Sequence, residues 1–494
     1  MRTCSTNRRL NASISGVVMA AMLLASCGGG GSTASSGGGG TTVTPTPTPT
    51  GTTCSTADRQ SFALATLQEW YLFPETLPTA TAPAAGATVQ QYIDALTANA
   101  RAQGRDRYFT YITSIAEETA FFNSGASAGF GVRLASDATT RRVFIMEAFE
   151  GAPALNAGID RGDEIVAIGT SASSMRTVSD IILAEGTAGV TNALGPSTAG
   201  TTRVLRVSGP SGTRDLTVAK ADYSLIPVSA RYGAKILDLG GGRRVGYLNL
   251  RSFISSADQQ LRDSFASFRA AGITEYIIDF RYNGGGLIST ANLMGDLLGG
   301  NRSTSDVYSR TLFRAEKTSN DSIHNFAPTA QSVSPVKIAF IGTGSTASAS
   351  ELVINSMAPY LGNNLALVGA NTYGKPVGQI AVDRAACDDR LRVIAFRTAN
   401  AQSRSEYYTG LVGVVPNTCA AADDYTFPLG DPREASVAAA INFLSGGTCT
   451  PITASAGQSG VSATSGSASR TLAGPEMIVP LEPTAPQREV PGMF

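Results

Sequence analysis

Histidine is all but missing from this chain of 494 residues, which holds one, and one tryptophan. A single imidazole leaves little room for a serine and histidine relay, because His324 lies in the polar stretch 320–331, which reads as a loop with a solvated side chain. Histidine-rich zinc sites go with it. None of the 6 cysteines stands at metal-ligand spacing from another or from His324, so neither a metal nor any other cofactor is expected. Charge of one sign is also lacking: 38 Lys and Arg balance 38 Asp and Glu with no basic cluster, which argues against nucleic acid as a partner. Long apolar runs are absent too, since the stretch from Val17 to Leu24 is too short to span a bilayer.

What that short run does carry is an export pattern: Arg2, Arg8 and Arg9 in front, Leu24 Ala25 Ser26 Cys27 behind. The tetrapeptide resembles a bacterial lipobox, which implies cleavage before Cys27, acylation of that cysteine and a membrane anchor of several lipid chains. Gly28 stands where an aspartate would favour inner-membrane retention in such lipoproteins, so the expected place is the periplasmic side of the outer membrane. Residues 28–53, Gly and Ser followed by the Thr-Pro repeat at 44–49, form a tether. Cys54, Cys387, Cys419 and Cys449 remain for disulfides, with Cys387–Cys419 and Cys54–Cys449 the favoured pairing.

Chemistry concentrates between Ser345 and Gln379. An apolar strand, Val336 to Ile341, ends at Gly342 and Gly344, and a helix follows whose apolar positions are Leu352, Val353, Met357 and Tyr360. Ser348 or Ser350 then stands at the helix start, where free N–H groups favour a developing anion. With histidine unsuited, the base falls to a lysine whose pKa a dry pocket can lower toward neutrality, a change worth about 4 kcal/mol. Lys375, after the apolar strand 365–368 and a glycine-bounded turn, has such surroundings. Blander readings compete. Ser348 with Glu351 is a capping box, worth about 0.5–2 kcal/mol without any chemistry. Gly369 to Lys375 imitates a phosphate loop but is followed by Pro376 in place of the hydroxyl that would hold magnesium.

Thr346 Ala347 Ser348 Ala349 Ser350 Glu351, with Tyr373 Gly374 Lys375 and Gln379, resembles the carboxy-terminal processing, or tail-specific, proteases. The resemblance implies Ser348 as nucleophile, Lys375 as general base and Gln379 as its orienting partner. The segment between them is longer than is common in that family, which leaves Ser350 open as the alternative. Asp279 Phe280 Arg281 Tyr282 Asn283 Gly284 Gly285 Gly286 resembles the family's oxyanion loop, with Gly284 in place of a proline. It implies an oxyanion hole made by Gly285 or Gly286 and the N–H of Ala349.

Gly129 Phe130 Gly131 Val132, followed by Ala157 Gly158 Ile159 and Gly162 Asp163 Glu164 Ile165, resembles a PDZ domain. Its glycine loop captures a chain-end carboxylate and its strand edge pairs with an extended peptide. The expected order is a signal at 1–27, a tether at 28–53, a small N-terminal helical domain at 54–124 without evident chemistry, an inserted PDZ domain at 125–222, an α/β protease core of the ClpP/crotonase type at 223–445, and a disordered tail at 446–494. Within the PDZ stretch, Leu183 to Leu194 reads as an extra loop. The apolar end of the tail, Val490 to Phe494, could dock in the chain's own PDZ groove as an inhibitor or a self-cleavage substrate. The expected activity is that of a serine endopeptidase cutting unstructured or C-terminal tails, with protein or peptide partners bearing free C-termini. An activating lipoprotein or self-association is left open. The rival is a catalytically silent PDZ scaffold.

Overall fold

The computed structural model describes residues 54–79, 84–453 and 475–494. The expected signal, Cys27 and the tether lie outside the described residues. The central sheet has six strands, in the order Lys235–Asp238, Arg244–Asn249, Glu275–Asp279, Lys337–Gly342, Leu365–Gly369 and Asn417–Ala420. Its first pair is antiparallel and all the others are parallel. Parallel neighbours need crossovers, and helices Ala257–Ala270, Ile288–Leu298 and Ala349–Leu361 serve within three of them.

Helices cover both faces, which is why these strands read as unbroken apolar runs. Leu248, Ile278, Phe340 and Leu367 face one way, against Phe265, Met294, Val353 and Met357. Tyr247, Ile277, Ile341 and Val368 face the other, against Val437, Ala440 and Phe443 of helix Ala435–Leu444.

A five-stranded antiparallel sheet is built on the long strand Asp389–Ala399, which pairs with Val377–Arg384, Tyr111–Ser114 and Val307–Phe313. The first helices, Thr56–Trp70 and Val89–Leu96, pack onto it, and Leu67, Tyr71, Tyr92 and Leu96 share one core with Val377, Val393 and Ile394. The disulfides correct the expected pairing: they join Cys54 to Cys387 and Cys419 to Cys449, with Cα atoms 5.5 and 4.8 Å apart. Cys387 lies in the turn between two paired strands, beside the entry to the first helix. Cys449 runs alongside the last central strand, where Ala420 N–H donates to the carbonyl of Thr450.

Residues 132–219 form the body of a seven-stranded sheet, with strands Val132–Asp137, Arg142–Ala148, Glu164–Gly169, Thr202–Gly209 and Gly212–Ala219 and the short Arg176–Thr177. The expected loop at 183–194 is instead part of helix Val178–Leu194, kinked at Gly186, which has φ of 68°. Ile181, Val190 and Leu194 bury against Ile165, Ile168 and Leu205. The tail also departs from expectation. Glu476–Met477 pairs antiparallel with Val132–Asp137 as the seventh strand, and Ala485–Glu489 is a short helix. Both are ordered because they meet an open strand edge and an apolar surface: Ile478, Val490, Met493 and Phe494 are all buried. Among the described residues, no helix is long and apolar enough to cross a membrane.

Candidate active site

Strand Lys337–Gly342 ends in a turn fixed by side chains. Thr346 Oγ1 donates to the carbonyl of Phe280 (2.8 Å) and accepts from Thr343 N–H (2.9 Å), while Ala347 N–H donates to the carbonyl of Asn283 (3.1 Å). The chain then enters helix Ala349–Leu361 through Ser348, whose φ of 54° and ψ of −113° lie in a region non-glycine residues rarely adopt. Such a conformation costs about 1–3 kcal/mol and persists only where its surroundings over-determine it.

Glu351 supplies the over-determination. Its Oε2 accepts from Ser348 N–H (3.0 Å) and from Lys375 N–H (2.7 Å), and its Oε1 accepts from Gly374 N–H (2.7 Å). One carboxylate thereby ties the serine turn to the lysine turn. Burial pushes the Glu351 carboxyl above its usual range, and the backbone N–H groups it accepts pull the other way. The half of the capping box expected from Glu351 is present, and it does more than close a helix end.

Lys375 leaves that turn toward the five-stranded sheet. Its Nζ donates to Gln379 Oε1 (3.3 Å) and lies 5.0 Å from the centre of the Phe109 ring. Gln379 Nε2 in turn donates to the carbonyl of Phe109. Burial lowers the lysine's pKa from its ordinary value, against Glu489, Asp106 and Glu351, which hold it up, while Arg392 adds to the lowering.

Ser348, Lys375 and Gln379 line one cavity of about 180 Å³ together with Gly286, Ala349 and Glu489. Ser350 does not line it. That residue is fully buried and its hydroxyl donates to the carbonyl of Asn283 at 3.2 Å. Of the expected oxyanion donors, Gly285 has its N–H turned onto Asn283 Oδ1 (2.9 Å). Gly286 and Ala349 lie at the cavity, and Ala349, first in its helix, has no carbonyl four residues back to accept its N–H. His324 is elsewhere: it sits on strand Ser322–Asn325, bonded to Asp296 Oδ1 at 3.1 Å. Among the described residues, no group of three or more His, Cys, Asp or Glu is placed to hold a metal ion.

The glycine loop 129–132 meets a chain segment of this same protein. Gly131 and Val132 N–H groups donate to the backbone oxygen of Phe494 (2.8 and 3.1 Å), and Phe494 N–H donates to the carbonyl of Val132 (2.9 Å). Three residues that shape the site escaped sequence reasoning: Glu489 lines the cavity, while Glu351 and Phe109 hold residues that do. Glu351 was legible only as a cap, Phe109 lay in a stretch without evident chemistry, and Glu489 belonged to the expected disorder. Only the first left a usable signal, since a carboxylate three residues after a helix-entry serine is free to accept other N–H groups.

Residues 244–418 match the family model described as Peptidase family S41. The carboxy-terminal processing protease CtpA of Bacillus subtilis (strain 168) is 27% identical over 283 residues, which are 56% of this chain and 53% of the relative. The chloroplastic C-terminal processing peptidase of Tetradesmus obliquus is 27% identical over 279 residues, 53% of this chain and 54% of the relative. The chain thus spans about half the length of the curated relatives it matches. A crystal structure of an S41 protease candidate from Bacteroides fragilis NCTC 9343 superposes with a TM-score of 0.61 at 22% identity, covering 78% of this chain and 97% of that one.

Proposed function

This chain belongs, through residues 244–418, to peptidase family S41, and we propose that it is a serine endopeptidase working through Ser348 and Lys375. The observation that carries the reading is the shared cavity in which an accessible serine at a helix entry and a partly desolvated lysine meet, their backbones tied by Glu351. Lys375, neutral, takes the proton of Ser348 as its Oγ attacks a peptide carbonyl. The oxyanion rests on the N–H groups of Gly286 and Ala349. The departing amine takes that proton from Lys375 as the peptide C–N bond breaks. Lys375, neutral again, then deprotonates a water molecule that attacks the acyl carbon, and the proton passes to Ser348 Oγ as the acyl group leaves as a carboxylic acid. Gln379, held by Phe109, orients the amine.

The unit at 125–222 is proposed to be a PDZ domain that receives peptide ends in the groove beside Gly129–Val132. Its glycine loop and the adjoining strand edge, at which backbone hydrogen bonds to a chain segment form, support this. The chain is further proposed to be exported and lipid-anchored at Cys27 on the outer membrane's periplasmic side. Two cystine bridges support an oxidising compartment. Labelled fatty acid should enter the protein in cells and be lost with Cys27→Ser; equal labelling of both would remove the anchor.

The activity test is turnover of an unfolded protein. Ser348→Ala should abolish it, by at least about a thousandfold, and Ser350→Ala should leave a tenth or more. If neither the complete chain nor a chain ending at residue 474 cuts the substrate, the protease reading falls and a peptide-binding scaffold takes its place.

A further inference from the structure

The groove beside residues 129–134 is filled along its whole length by the chain itself. Leu134 N–H donates to the carbonyl of Gly492 (2.7 Å), Phe494 exchanges bonds with Val132 in both directions, and Ile478 N–H takes up the carbonyl of Leu134 (3.0 Å). The Phe494 ring is seated in the apolar core that includes Phe130, Val132 and Ile182. A Cβ on Gly129 would stand 2.7 Å from the carbonyl carbon of Phe494, so the loop is open to a backbone only because glycine is there. Two polar locks hold the approach: Gln487 Nε2 donates to the carbonyl of Met493 (2.9 Å), and Arg133 Nη1 donates to that of Pro491 (2.6 Å).

The same segment crosses the catalytic cavity five residues earlier. Glu489 lines it with Ser348 and Lys375, and accepts a hydrogen bond from the Tyr111 hydroxyl at 3.2 Å. Its backbone runs against the oxyanion loop. A Cβ on Gly284 would meet the Glu489 carbonyl oxygen at 2.7 Å and the Pro491 ring at 3.1 Å. Between the two sites the chain turns, with Met493 N–H donating to the carbonyl of Val490 (3.2 Å) and Gly492 at φ of 79°, so a single short segment serves both.

We propose that residues 484–494 are a resident ligand that occupies the peptide groove and the catalytic cavity together, so that a substrate must displace them to be cut. The competitor the groove accepts is then a peptide that places a large apolar side chain where the Phe494 ring sits. The segment belongs to the same chain, so its docking is intramolecular, and a covalently joined ligand can stand at roughly millimolar effective concentration. Weak outside peptides are excluded, and a long tail that engages groove and cavity at once has the advantage. The cavity half of the inference rests on the protease reading; the groove half stands apart from it.

The test uses a synthetic peptide copying residues 485–494, with a fluorophore at its amino end, and the Ser348→Ala protein. The complete chain should bind the peptide at least tenfold more weakly than a chain ending at residue 474 or one carrying Phe494→Asp, which keeps the segment but cannot seat it. In the protein with Ser348 intact, both changes should speed cleavage of an unfolded substrate, and added free peptide should slow the shortened chain again. Equal peptide binding by the complete and altered chains would overturn the proposal, as would cleavage rates within twofold of each other. If no protein cleaves anything while the binding difference persists, the protease reading fails and the resident ligand stands.

Discussion

Glu351 is the residue on which the geometry of the site turns. It is fully buried and accepts three backbone N–H groups from two separate turns. Glu351→Gln removes the charge and turns an amide donor toward N–H groups, so unfolding in denaturant should show a loss of about 2–3 kcal/mol, with turnover falling further than stability explains. Lys375 sets the pH response. Only its neutral amine can accept a proton, and burial has lowered its pKa below the ordinary 10.5, so kcat/KM should rise with pH along an acidic limb whose midpoint lies below that value. Glu489, Asp106 and Glu351 hold the lysine up and Arg392 pushes it down, so Glu489→Gln should move the midpoint lower still. A midpoint at or above 10.5 would mean that another group is titrating.

At the scale of elements, glycines decide how closely the oxyanion loop and the serine turn approach. Gly285 has φ of 119°, and a Cβ there would stand 2.7 Å from that of Ser348. Gly285→Ala should therefore cost about a hundredfold or more in kcat while the protein still folds. Gly413→Ala, where a Cβ would meet nothing within 4 Å, is the matched control and should change little. The same scale shows what could be read in advance. The central strands were plain because helices cover both faces, and the serine and lysine turns were plain because small residues bracket them. Helix Val178–Leu194 was hidden by Gly186 and Gly189, which interrupt its apolar period even though Ile181, Val190 and Leu194 keep it. The cysteine partners were illegible for another reason: Cys387 is brought to Cys54 by the hairpin of strands Val377–Arg384 and Asp389–Ala399, a pairing between distant parts that spacing does not encode. The ordering of residues 475–494 depends on a groove far away in sequence, and in the local composition only the apolar end at 490–494 carried a trace of it.

Across the whole molecule, buried charge joins the seven-stranded unit to the central sheet. Arg251, just after strand Arg244–Asn249, pairs with Glu147 and Glu150 at 2.7 Å each, and Arg133 stands 3.5 Å from Glu147. Glu147→Ala would take the counter-charge from buried Arg133 and leave Arg251 with Glu150 alone, and a loss of about 3–5 kcal/mol in unfolding free energy is expected. Because Arg133 also holds the carbonyl of Pro491, the same change should loosen the resident segment and raise binding of the free peptide.

The bond between Cys54 and Cys387 spans 333 positions and makes most of the body a covalent ring. A single nick inside that ring, by self-digestion or by a contaminating enzyme, opens the circle without releasing a piece. Preparations damaged in this way should run as intact protein on a gel without thiol and fall into two fragments once a reductant is added.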